Sequence, residues 1–371
     1  MTVGGIPMVG IGYGRIDHSL IIDYVAVGLV GSISIVSADM LALLSRTSLS
    51  DLKPSVSVEL DGTDISAYCG RFEIHLLGNG GHSYCEIPIL SDSLSVDLHQ
   101  SIISITISYT LSDGSVFSQE RFRGLAHIID PEKKIGTSKY TLTCFDLGYK
   151  LTKNTPITSG YPNGSALDII NAELAAYGFA AAYGSFVDYD VTSFNIQYYK
   201  TAADLINALA NGRYPTTVFW DATGILKLTD YNDTTVSPYS FPLAAQSSQS
   251  AGEDGTDRYN QVSITGNRTI TYNDTADQAT KGILNVGHEA EFVTAWQQAF
   301  NIAEAICKNS QRKKYSFRSF LNPFVFPGDV VTLTLTDTTT KAVRISEVVD
   351  YCGFEPSGGG FWSDWESRAT S

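Results

Sequence analysis

Ile103-Ser104-Ile105-Thr106-Ile107-Ser108 alternates a β-branched apolar side chain with a hydroxyl. A period of two marks a strand with one buried and one polar face, because successive side chains leave a pleated strand on opposite sides. The same alternation flanks this stretch. N-terminal to it, Val56, Val58 and Leu60 are separated by polar residues, as are Phe72, Ile74 and Leu76. C-terminal to it, Phe122-to-Ile129 and Tyr140-to-Phe145 read as two further strands. Asp61-Gly62 and Asp113-Gly114 are dipeptides that close tight hairpins. The strands between Pro54 and Leu147 predict a small sandwich or open barrel.

Beyond Asn154 the pattern changes. Ser165-Ala166-Leu167-Asp168 starts a helix: the Ser hydroxyl can accept an orphan N–H, and Asp168 favours the positive helix end. Leu167, Ile170, Leu174 and Tyr177 recur at helical spacing, with Gly178 as the stop. Thr201-Ala202-Ala203-Asp204 starts a second helix, with Leu205, Ile206 and Leu209 on its apolar face and Asn211-Gly212 at its end. Val218-Phe219-Trp220 and Ile225-to-Thr229 then form a hairpin around Ala222-Thr223-Gly224. Residues 232–257 are rich in Ser, Thr, Asp, Gly and Ala and read as a linker or long loop. From Arg258 onward a second β-rich unit is predicted. It has a long helix over Glu289–Asn309, striped by Phe292, Trp296, Ala299, Ala303 and Ile306, and strands at Tyr315–Phe320, Asp329–Thr336 and Ala342–Val349.

The chain is therefore α+β and mainly β. Its predicted parts are an N-terminal extension (1–53), a first β domain (54–153), a small α+β domain (154–231), the linker (232–257), a second β domain with the long helix (258–355) and a C-terminal tail (356–371). Residues 19–44 are largely apolar and Val36-Ser37-Ala38 resembles a signal-peptidase site, but Asp23 and Asp39 bracket the run and only Arg15 supplies positive charge ahead of it, which argues against export, while Ser32, Ser34, Gly28 and Gly31 dilute it below what a membrane span needs. It reads as an extension that buries itself in its own chain or a neighbour, with no stable membrane insertion. Phe361, Trp362 and Trp365 on the polar tail need a surface to bury against.

Bulk chemistry narrows the function classes. The formal net charge is −14 and charged residues make up only 17% of the 371. Nucleic-acid wrapping needs clustered cations, and the one dense basic stretch, Gln311-Arg312-Lys313-Lys314, follows the predicted helix, where cations offset the helix dipole. Cys69, Cys85, Cys144, Cys307 and Cys352 are odd in number and widely spaced, which argues for buried thiols rather than disulfides or a zinc cage. His75, His82 and Cys85 could approach each other across a hairpin, but their spacing matches no zinc pattern. His127 in a strand reads as a hydrogen-bonded structural histidine. Gly10-Ile11-Gly12-Tyr13-Gly14 lacks the strand and Lys of a phosphate loop, and no Gly-x-Ser-x-Gly elbow exists. Carboxylates are scattered, and alternation puts Glu59 on a polar face. No residue is assigned a catalytic, cofactor-binding or metal-ligating role, and no cofactor is expected.

The order of these parts resembles the baseplate and tail hub proteins of tailed phages and contractile injection machines, over about residues 54–356. The resemblance rests on Ser55-to-Leu60 with Asp61-Gly62, on Tyr140-to-Lys150 followed by Gly164-to-Gly178, and on Thr201-to-Leu228. Arg258-to-Gly266 and Asn322-to-Leu333, with Pro327-Gly328-Asp329, complete it. It implies two tail-tube-like β-barrel or sandwich domains, with the small α+β domain between them, and a structural protein rather than an enzyme. Three chains would present six such domains, so a homotrimeric ring would end a sixfold tail tube and anchor a spike or tip. Implied partners are the chain itself, a tail tube or distal tail protein and the spike protein. DNA would pass through the lumen without specific binding. The implied location is the virion tail, after synthesis in the host cytoplasm. Alternatives are another tail component such as a tube or distal tail protein, a β-rich adhesin, or a tail-associated glycan hydrolase.

Overall fold

The computed structural model describes residues 53–352 except 93, 111–113, 115, 132–137, 158–163, 192–198, 231–232, 244–245, 253–257, 267, 290–292, 294, 313 and 321. Outside that range it describes only strand pieces at 2–3, 6–7, 21–22, 35–36 and 366–370. The glycine-rich residues 10–14 and the tail aromatics Phe361, Trp362 and Trp365 lie outside the described residues.

The first strands are β1 (Lys53–Leu60), β2 (Thr63–Asp64), β3 (Phe72–Leu77), β4 (Tyr84–Ile89), β5 (Ile102–Thr110), β6 (Val116–Asp130) and β7 (Tyr140–Asp146). The Ile-Ser-Ile-Thr stretch lies in β5, and its alternation is complete: Ile103, Ile105, Ile107 and Tyr109 are buried while their neighbours are not. Asp61 and Gly62 join β1 to β2 with both φ angles positive, 51° and 79°. That geometry gives a tight turn its hand matched to strand twist.

Next come β8 (Gly164–Ser165), α1 (Ala166–Ala176), β9 (Tyr183–Gly184), β10 (Asp190–Val191), α2 (Ala202–Ala210), β11 (Thr216–Trp220) and β12 (Leu226–Asp230). Both predicted caps form. The Ser165 side chain accepts from the Asp168 N–H, and Thr201 and Asp204 complete a reciprocal capping box. α1, α2 and the three-stranded sheet β9-β12-β11 enclose their own core of Ile170, Leu174, Leu205, Leu209, Leu226 and Leu228.

The segment 232–257, expected as loop, instead holds β13 (Val236–Phe241) and β14 (Gln246–Gly252). The sequence of β14 is Gln-Ser-Ser-Gln-Ser-Ala-Gly. Such a strand carries no apolar alternation because it buries no face of large side chains, so the periodic signal is missing. After it come β15 (Gln261–Thr265), β16 (Thr269–Asn273), α3 (Thr275–Lys281), β17 (Asn285–Glu289) and α4 (Trp296–Ser310). The predicted Glu289–Asn309 helix thus begins later. Asn285–Glu289 is captured as a strand because it pairs in parallel with β15. Ala299, Ile302, Ala303 and Cys307 of α4 pack on Val262 and Ile264 of β15, whereas Trp296 is 56% exposed.

The final elements are β18 (Lys314–Phe320), β19 (Val330–Thr334), β20 (Thr340–Arg344), β21 (Glu347–Cys352) and β22 (Glu366–Thr370). The expected strand Ala342–Val349 divides at Ile345-Ser346, and its halves enter different sheets. β20 pairs with β19, while β21 pairs with β3.

That last pairing shapes the molecule. Strands from both ends of the chain form one eleven-stranded sheet in the order β14-β18-β22-β21-β3-β4-β7-β6-β5-β1-β2. The core under it is also shared: Ile74, Ile87, Ile105 and Leu142 pack with Phe317, Val331, Leu333 and Val348. No sheet among the described residues closes into a barrel. The fold is α+β and mainly β.

Candidate functional site

Three features of the large sheet bear on function. The first is β6, fifteen residues long, which departs from regular pairing twice. Its register with β5 shifts between Glu120 and Phe122, and its register with β7 shifts between Ala126 and Ile128. A bulge inserts one residue and re-aims its side chain. The extra residues are Arg121 and His127.

Arg121 is turned into the interior, where it is fully buried. Its Nε donates to Asp350 Oδ2 at 2.5 Å, and its Nη1 donates to the carbonyls of Pro323 at 3.0 Å and Val325 at 2.7 Å. The guanidinium carbon lies 4.6 Å from the centroid of the Phe326 ring. Asp350 belongs to β21 and is also fully buried. A guanidinium presents its donors in a fixed fork, so one side chain fastens β6 to β21 and to the 323–326 loop. Nothing in the local sequence marks Arg121 for this role.

The second feature is a ring cluster around Phe145 and Tyr149. Tyr149 follows β7 in a short 3-10 segment, Leu147–Lys153. Its ring stacks on Phe145 with centroids 4.6 Å apart. His127 packs edge-on against both rings, at 5.3 Å and 4.7 Å. His82 packs edge-on against Tyr149, and His75 stacks on Tyr84, which leans on Phe145. His99 completes the group, with its ring centroid 4.6 Å from that of His127. Four of the six histidines therefore gather at one place. Burial, His99 and Lys153 together hold the His127 imidazole below its usual pKa.

His82 faces Asp146 at 3.1 Å, and Asp146 also accepts from the Ser83 N–H at 2.6 Å. Burial pushes the Asp146 carboxyl above the ordinary range, although His82 opposes the shift. The His75, His82 and Cys85 constellation considered from sequence does not assemble. Cys85 points to the opposite face, fully buried in the core directly across from Cys144. All five cysteines are buried and free, and burial raises the Cys85 thiol well above its usual pKa. His288 is exposed on β17, Glu59 is exposed as alternation requires, and His18 lies outside the described residues. Among the described residues no three His, Cys, Asp or Glu side chains are grouped to hold a metal.

The third feature is the pair of outer edges. Among the described residues β14 pairs only with β18, and the start of β1 pairs only with β5. Each edge presents main-chain groups on one side to whatever lies beyond it. No helix among the described residues is long and apolar enough to cross a membrane.

A less visible junction joins the sheet to the α+β unit. Gly78 donates its N–H to the Ser346 carbonyl at 2.9 Å and accepts from the Val218 N–H at 3.1 Å. A β-carbon there would meet Pro327 Cβ and Thr217 Cγ2, each at 2.7 Å. Only a residue without a side chain lets three chain segments approach so closely. Asn207 of α2 adds a bond to the Gly80 carbonyl at 3.2 Å.

No protein-family model matches the chain, and no curated protein matches it significantly. Solved structures do. A tail protein from Neisseria meningitidis MC58 superposes with a TM-score of 0.62 at 13% identity, covering 85% of this chain and 95% of that one. The 43 kDa tail protein of prophage MuSo2 from Shewanella oneidensis gives 0.61 at 10% identity, covering 86% and 98%. A prophage tail protein from Listeria monocytogenes EGD-e gives 0.53 at 12% identity, covering 85% and 94%. Agreement along nearly the whole of each partner, at identities this low, is agreement of fold. This chain has the fold of phage tail proteins.

Proposed function

We propose that the chain is a structural tail hub: a homotrimer that ends a sixfold tail tube, docks on a tube or distal tail protein, and anchors the spike or tip of a virion. The observation that carries the reading is an open eleven-stranded sheet with two outer edges, set in a fold shared with phage tail proteins. Joining such edges between copies would satisfy their main-chain groups and extend the sheet around a ring. Obligate rings of this kind commonly bury more than about 2,000 Å² per interface. The net charge of −14 suits a lumen that lets DNA pass, since it offers no counterion release to retain the phosphates. The role is structural, without catalysis.

Light scattering on the purified full chain tests the reading. The expected mass is three times the 40.2 kDa of one chain. A monodisperse monomer that also fails to attach to tail tubes in electron micrographs would overturn it.

A further inference from the structure

The histidine cluster contains a geometry that the hub role does not use. His99 Nδ1 and His127 Nδ1 share a hydrogen bond at 3.0 Å, with the ring planes at 66°, so an ion bound between them would take the place of the shared proton. We propose that this pair is a binding site for one late first-row divalent cation of tetragonal preference, of the class of Ni²⁺ or Cu²⁺, held by the two Nδ1 atoms.

Two nitrogens bound to one such ion at about 2.0–2.1 Å are about 2.8–3.0 Å apart at the right angle of a tetragonal site and about 3.3–3.4 Å apart at the tetrahedral angle. The observed spacing matches the right angle. Neutral imidazole is a suitable ligand for these ions, whereas calcium and magnesium take oxygen.

The ligand atom of His127 is selected by its other nitrogen. Tyr149 Oη lies 3.2 Å from His127 Nε2. If Nε2 carries the proton and donates it to that oxygen, the Nδ1 lone pair is left free, which is the outer-partner arrangement metal-binding histidines commonly show. Tyr149 is in turn fixed by its stacking on Phe145. His99 needs only the tautomer with its proton on Nε2, so binding to the neutral pair requires no net loss of protons.

Two separate backbone departures bring the rings together. His127 is the bulged residue of β6, and His99 has φ of 67°, in the left-handed region. A non-glycine residue there is uncommon, and such outliers persist only where the surroundings fix them. The His99 N–H is held by the Ala126 carbonyl at 2.7 Å, so the turn is clamped to the residue before the bulge. His99 is exposed and His127 half-buried, which leaves the site open to solvent. The other charged groups nearby are Lys153, 5.3 Å from the Tyr149 ring centroid, and the buried Asp146 beside His82. Lys153 opposes a cation, and the remaining coordination positions fall to water. The affinity is that of a two-ligand site.

Isothermal titration of the untagged full chain with NiCl₂ at neutral pH tests the proposal. One equivalent per chain is expected. Binding should weaken at least tenfold in His127→Ala and in His99→Gly, the latter chosen because glycine suits the left-handed backbone and keeps the turn. His288→Ala, at an exposed histidine far along the sequence, should leave the titration unchanged. Circular dichroism of each variant without metal checks that the fold is retained. Absence of binding in the unmodified chain overturns the proposal, as does binding that survives in folded variants of both residues.

Discussion

Arg121 and Asp350 neutralise each other in a place where neither meets water. Isolated charges there would be far more costly than the pair. Arg121→Met should therefore destabilise the chain by about 3–5 kcal/mol, because it leaves Asp350 buried without its cation. The double variant Arg121→Met with Asp350→Leu should recover most of that loss, since well-packed apolar replacements of buried ion pairs are often neutral. Urea denaturation of the two variants side by side checks both outcomes. Equal destabilisation in single and double variants would refute the argument. Some residue roles were legible from sequence: Ser165 and Thr201 announced their helices because capping is local chemistry. Arg121, Gly78 and the bulge that carries His127 did not. A bulge is defined by the partner strand, and the tightness at Gly78 exists only once Pro327 and Thr217 have arrived.

The small unit built from β15, β16, α3, β17 and α4 has its own pH dependence. Arg258 Nη2 donates to Asp277 Oδ1 at 2.5 Å, and Asn260 Nδ2 donates to the other carboxylate oxygen at 3.1 Å. The Arg258 hydrogen bond, helped by Asn260, lowers the Asp277 pKa below its ordinary 3.8. The folded value therefore lies below the unfolded one. The associated stabilisation is present above pH about 4 and is lost as the pH falls through the folded value. Asp277→Asn should shrink the stability difference between pH 6 and pH 3, measured by denaturant unfolding at each pH. An unchanged difference would show that the pair contributes nothing. At this scale the sequence spoke clearly where one face is apolar, as in β5, α1 and α2. It was silent for β14, whose hydroxyls and amides hide a strand, and α3 buries no residue and carries no periodic stripe.

For the whole molecule, the central fact is that β3 is bordered by β21, almost three hundred residues away in the chain. Periodicity states that a strand has a buried face; it does not state which strand lies beside it. Hence the β-rich class and the α+β insertion could be read in advance, while the sharing of one sheet by the two β segments could not. A fragment ending at residue 230 would lack β21 and with it Phe317, Val331 and Leu333 of the shared core. It should bind ANS, show no sharp near-ultraviolet dichroism and unfold without cooperativity, unlike the intact chain. A fragment with native-like near-ultraviolet signal would show that the N-terminal strands suffice. Pairing across such a separation also makes folding slow, because loop closure precedes the contacts that reward it.

The Gln-Ser-Ser-Gln-Ser-Ala-Gly edge has a thermodynamic corollary. Two surfaces that meet through amides and hydroxyls remove little hydrocarbon from water, and it is hydrocarbon removal that gives association a strongly negative heat-capacity change. Joining through this strand would thus have an enthalpy that barely varies between 10 and 35 °C in calorimetry. A binding enthalpy that fell steeply with temperature would show instead that an apolar face, not this polar strand, is covered when copies join.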